Sequence, residues 1–116
     1  MSIGYMWEVF YCGTRSLASD TGRIQERLEN TFRYLMPRLM GPQIDLTPEL
    51  EEKAHNLMRQ VSCKTSKGDD GNIAATCRAM NDDEAKKIAQ DLFDIFNEVC
   101  RMKAASDAAA PSKANR

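Results

Sequence analysis

Hydrophobic residues along this chain recur at intervals of three and four, and polar turns separate the segments that carry them. That spacing stacks apolar side chains on one face of a helix, whereas a half-buried strand would alternate. The longest unbroken pattern is Asn81–Arg101. There Ala85, Ile88, Ala89, Leu92, Ile95, Phe96 and Val99 form a wide apolar face flanked by Phe93 and Cys100. Asn81 followed by Glu84 reads as a capping box, in which each side chain satisfies a free N–H of the other's residue.

Four shorter helices are expected upstream. Met6–Ala18 places Met6, Phe10, Gly13 and Leu17 on one face, widened by Trp7 and Tyr11. Gly13 either ends this helix early or permits a close contact. A strand over Trp7–Cys12 would find no partner strand later in the chain. Arg23–Met36 carries Ile24, Leu28, Phe32 and Leu35, with Leu39 continuing the stripe. Pro37 should stop or kink it, because proline has no N–H and its ring clashes with the preceding turn. Thr47-Pro48-Glu49 opens a third helix with a cap, a proline at the first position and an acid in the first turn. Leu50, Ala54, Leu57, Met58 and Val61 are its buried face. Asn72–Met80 makes a short fourth helix. The pattern D-x-G-x-I occurs twice, at Asp20–Ile24 and Asp69–Ile73, and leads into a helix each time. It reads as a shared helix entry, with glycine for the turn. A glycine-led turn can also cradle an anion, but the spacing fits neither a Walker A loop nor a dinucleotide fingerprint.

These elements predict an all-α fold, an irregular bundle of four to five helices forming a single domain over residues 1–103. Ala104–Arg116 is small, polar and broken by proline, and is expected to be a disordered tail.

Composition narrows the function classes. The net charge of -1 over 116 residues gives no global case for nucleic acid or a charged membrane surface. No segment has the roughly 20 apolar residues that span a bilayer, and no leader pattern stands at the N-terminus, so a cytoplasmic protein is expected. Cys12, Cys63, Cys77 and Cys100 form no C-x-x-C pair and are expected as free thiols. With His55 the only histidine, no spacing matches a structural zinc site, and no metal or cofactor is expected. The acids at Asp82-Asp83-Glu84 and Glu49-Glu51-Glu52 lie in first helical turns, where they stabilise the helix dipole. No nucleophile, base and orienting group fall together, so no enzyme is expected.

The second helix is more informative. Arg23, Arg27, Asn30, Tyr34 and Arg38 form a narrow stripe beside its apolar face, and no acid lies among them. Glu29 and Arg33 fall on the other side, spaced to pair. Such a stripe suits phosphate contacts with stacking, a contact to an acidic helix of the same or another chain, or plain solvated surface. The overall charge provides no basic footprint for the first of these.

Ser19–Leu28 (SDTGRIQERL) and Asn81–Leu92 (NDDEAKKIAQDL) resemble a family of small, uncharacterised bacterial all-helical proteins. In that family a G-x-I-x-A-T segment leads into a D-E-E-A final helix, similar to Gly71–Thr76 and Asp83–Ala85 here. The resemblance covers about positions 5–103 through structural motifs. It implies a bacterial or phage-borne cytoplasmic protein, and it implies no activity and no functional residues. The expected function is a small, non-enzymatic protein–protein interaction or regulatory module. Self-association is the natural outlet if its apolar faces exceed what one bundle hides. The alternative is a nucleic-acid accessory factor acting through the arginine stripe.

Overall fold

The computed structural model describes residues 2–41, 44–68 and 71–109. Among them the chain is all-α, with helices α1 (Ile3–Ser19), α2 (Ile24–Leu39), α3 (Pro48–Gln60), α4 (Gly71–Arg78) and α5 (Asp82–Ala109).

Each helix starts where its sequence provides a cap or a turn. Ser2 begins α1 by accepting from the Tyr5 N–H at 3.2 Å, which is earlier than the apolar pattern alone implies. Thr47 caps α3 through the Leu50 N–H, with Pro48 at the first helical position. The capping box at α5 is formed in both directions. The Glu84 N–H donates to Asn81 Oδ1 at 2.8 Å, and the Asn81 N–H donates to Glu84 Oε1 at 3.0 Å. Gly22 and Gly71, the glycines of the repeated D-x-G-x-I pattern, have φ of 102° and 88°, the left-handed turn conformation that favours glycine. Asp69 and Asp70 of the second copy lie outside the described residues.

Two helices run further than their sequences imply. Of the stop or kink expected at Pro37, the stop does not occur, and α2 continues through it to Leu39. Pro37 points outward, while Leu39 is fully buried and draws the last turn into the core. The Arg38 guanidinium donates to the Tyr34 carbonyl at 2.7 Å, and the Met40 N–H reaches the Met36 carbonyl at 3.0 Å. The tail expected to be disordered from Ala104 is instead helical as far as Ala109. Its alanines have the highest helix propensity, and Lys103 pairs with Asp107 one turn on. Residues 110–116 lie outside the described residues.

Packing places α2 at the centre, in contact with all four other helices. Its buried Leu28, Phe32 and Leu35 meet Met6 and Phe10 of α1, Leu57 of α3 and Leu92 of α5 in one core. The long α5 supports the assembly from one side, antiparallel to α1. Tyr11 lies against Phe96, and Gly4 against Lys103. Of the expected α5 face, Ala85, Ile88, Leu92, Ile95 and Val99 are buried, while Ala89 and Phe96 are half-buried.

Gly13 does not end α1. It sits buried where α1 crosses α2, and a Cβ there would come within 2.7 Å of Leu35 Cδ2. Leu35 has no exposed surface and little freedom to retreat. Gly13→Ala should therefore lose about 1 kcal/mol of stability, its overpacking outweighing a helix-propensity gain of similar size. Gly4→Ala, whose nearest neighbour would be 3.8 Å away, should leave stability unchanged or up to about 0.5 kcal/mol higher. Urea unfolding of the two variants against the parent checks the contrast.

Candidate functional site

The arginine stripe of α2 faces the end of α1, and most of its polar atoms are used within the chain. Arg27 is half-buried and its Nη1 donates to the Leu17 carbonyl at 3.0 Å. Leu17 lies in the last turn of α1, where carbonyls have no intrahelical donor and the helix dipole is negative. That turn carries no basic residue of its own, so Arg27 supplies both the hydrogen bond and the positive charge. Asn30 donates to Asp20, the residue that terminates α1, at 3.3 Å.

Further along, Arg38 lies over the Tyr34 ring at 3.9 Å from its centroid while bonding the Tyr34 carbonyl. Burial and the Cys12 thiol beside it push the Tyr34 hydroxyl up, opposed by the Arg38 charge. The stacking pair foreseen for nucleobases is thus a cation–π contact inside the stripe. Arg23 is exposed, as is Asn30, and lies 3.6 Å from Asp82 at the start of α5. The Arg23 and Asp82 side chains are both largely in solvent, so the pair contributes little to stability.

The opposite flank of α2 carries the stronger charge contacts. Glu29 is nearly buried and accepts from Arg78 of α4 through two parallel bonds of 3.0 and 3.2 Å. It also pairs with Arg33 at 3.1 Å, one turn along α2, as its spacing implied. Gln25 is buried beside it and donates to the Met80 carbonyl at 3.1 Å and to Asp82 Oδ1 at 2.8 Å. A cleft of about 440 Å³ opens over these groups, lined by Arg23, Gln25, Glu26, Glu29, Asn30 and Arg78. Its two guanidinium groups and two carboxylates balance, so its lining carries no net charge.

Nucleophiles and metal ligands stay dispersed. Cys12 and Cys63 are exposed, Cys100 is half-buried and Cys77 is buried. Among the described residues, no three His, Cys, Asp or Glu side chains gather as a metal site would require. His55 is half-buried on α3, beside Glu51, Glu52 and Arg59. No helix among the described residues is long and apolar enough to cross a membrane.

The surface that the sequence did not single out is aromatic. Trp7 and Tyr11 of α1 stack at 5.1 Å between centroids, and Tyr11 meets Phe96 of α5 at 6.5 Å in a tilted arrangement. Phe93, one turn earlier on the same side of α5, is 58 % exposed, and Tyr11 is 40 % exposed. The signal was present in the helical spacing, which leaves Tyr11 and Phe93 at the margin of their apolar faces. Margin positions become covered or open according to where the neighbouring helix lies, and spacing does not reveal that.

No protein-family model matches the chain, no curated protein matches its sequence, and no solved structure matches its fold. The resemblance of Ser19–Leu28, Gly71–Thr76 and Asn81–Leu92 to small bacterial helical proteins rests on those residues alone.

Two outcomes follow from this geometry. Arg27→Ala should destabilise the fold by about 1 kcal/mol in urea unfolding, because the Leu17 carbonyl loses its donor. Burial, helped by the Glu29 charge, raises the Cys77 thiol from 9.0 to about 11. Between those values the unfolded chain releases the thiol proton and the folded chain keeps it, so this contribution to stability falls as pH rises through that window. Unfolding midpoints of the parent and Cys77→Ala from pH 8 to 11 should show a steeper decline in the parent.

Proposed function

We propose that the chain is a non-enzymatic protein-interaction module whose docking face is the aromatic side of α1 and α5. The observation that carries this reading is the exposure of Phe93 and Tyr11 beside Trp7 and Phe96. Covering one phenylalanine side chain is worth roughly 1.5–3 kcal/mol, so a cluster of such rings on a small domain is a strong incentive for association. Aromatic rings also dominate the energetics of protein interfaces, because they bring large area at small entropic cost. Here Tyr11 is already held by its stack on Trp7 and its tilted contact with Phe96, which lowers the ordering cost of binding at that ring.

The arginine stripe supports this assignment over nucleic-acid contact. Arg27, Asn30 and Arg38 donate to groups within the chain, and Arg38 also covers the Tyr34 ring. Contacts within the chain thus hold these side chains against the fold, while the overall charge of -1 offers no basic footprint.

A photo-reactive phenylalanine analogue placed at Phe93 tests the docking face in the cells that make the protein. We expect a discrete protein adduct from position 93 on irradiation, and none from the same analogue at the exposed Glu52 of α3. Equal labelling at the two positions, or no adduct at 93, overturns the assignment.

A further inference from the structure

We propose that the occupant of this face is a second copy of the same chain, docked with its α1 antiparallel to the first α1 across a two-fold axis that crosses between Tyr11 and Cys12. The inference rests on the aromatic side of α1 and α5 being the docking face, and it adds the partner and its orientation.

Charge carries the argument. Glu8 and Arg15 are both exposed on the outer side of α1, two turns apart with Tyr11 and Cys12 midway between them. Neither side chain has an ion-pair partner among the described residues. Seven positions of helix separate them by about 10 Å, too far to pair with each other. A second α1 laid antiparallel over the first, with the axis midway, opposes Glu8 of one copy with Arg15 of the other, and does so twice. A parallel arrangement would set Glu8 against Glu8 and Arg15 against Arg15. The charges therefore select the antiparallel pairing, as self-complementary patches do in isologous dimers.

The apolar content of the face fits the same axis. Tyr11 lies beside Phe96, so the axis passes over α5 at Phe96 and pairs the two α5 helices antiparallel as well. Each Phe93 then lies within about 4 Å of the axis along its helix, close enough for the two rings to meet. With the axis level with the step from Ile95 to Phe96, Arg101 falls opposite Gln90 and Lys86 opposite Ala105 on the outer side of α5, so no like charges meet there. One axis thus covers the exposed phenylalanine, satisfies two unpaired charges per chain and creates no repulsion.

Sedimentation of the full chain over a range of concentrations tests the pairing. The parent should be a reversible dimer. Glu8→Arg alone and Arg15→Glu alone should each weaken it about tenfold, since two attractive contacts become repulsive in each dimer. The double variant Glu8→Arg/Arg15→Glu should return to within about threefold of the parent, because the exchanged charges again oppose their complements. Both positions are exposed, and circular dichroism confirms that the helices persist. A double variant as weak as the single ones overturns the antiparallel pairing. A parent that stays monomeric overturns the second copy as occupant. In that case an adduct of another mass at position 93 would leave the docking face standing, whereas no adduct would remove the face itself.

Discussion

A helix that ends inside a small bundle leaves carbonyls that need donors, and in this protein α2 supplies them. Arg27 reaches the last turn of α1, Gln25 reaches the Met80 carbonyl just beyond α4, and Arg38 serves the turn of α2 that precedes Pro37. Glu29 adds a two-bond contact to Arg78, at the end of α4. The central helix therefore does more than fill the core with Leu28, Phe32 and Leu35. Its polar flanks fix where α1 and α4 terminate, and so determine the angles at which they leave. The closeness of α1 to α2 at Gly13 belongs to the same arrangement, because only without a Cβ at that position can α1 approach Leu35 so closely.

This arrangement explains the character of the arginine stripe. On the sequence alone it had the composition of a surface that reads phosphate. In the fold Arg27 and Asn30 serve the end of α1, where a cationic group complements a helix C-terminus, while Arg38 folds back over Tyr34 of its own helix. Arg23 extends largely into solvent, near Asp82. Basic residues at helical spacing thus mark either an outward ligand face or an inward seam. The deciding quantity is where the neighbouring helix ends.

The helices themselves were legible because their evidence is local. Thr47 with Pro48, and Asn81 with Glu84, specify helix starts through bonds that span three residues. The buried positions of α3 and of α5 follow from spacing. What escaped was non-local. Pro37 ends a helix by local rules, yet burial of Leu39 carries α2 past it. Ala104–Ala109 has too few apolar groups to look ordered, yet it extends a helix that has already run about six turns, and propagation is far easier than nucleation. Phe93 and Tyr11 have the spacing of near-core residues and become surface because none of the described elements crosses over them. The long Asn81–Arg101 stretch proved to be a supporting flank, with the centre of the core on α2.

The pairing of α1 with α5 has a consequence for the order in which the chain can fold. Tyr11 and Phe96 meet across most of the length of the polypeptide, and Gly4 meets Lys103 across still more. Closing so long a loop costs more chain entropy than joining α1 to α2, whose connection is a short glycine turn. The hairpin of α1 and α2 is therefore the cheaper nucleus, and α5 docks onto it afterwards. On a ribosome this order is enforced, since α5 is the last of the described helices to be made. Trp7 and Tyr11 wait uncovered throughout that interval, and the side of α1 that is last to be sheltered in the finished molecule is also the side exposed longest while it is being built.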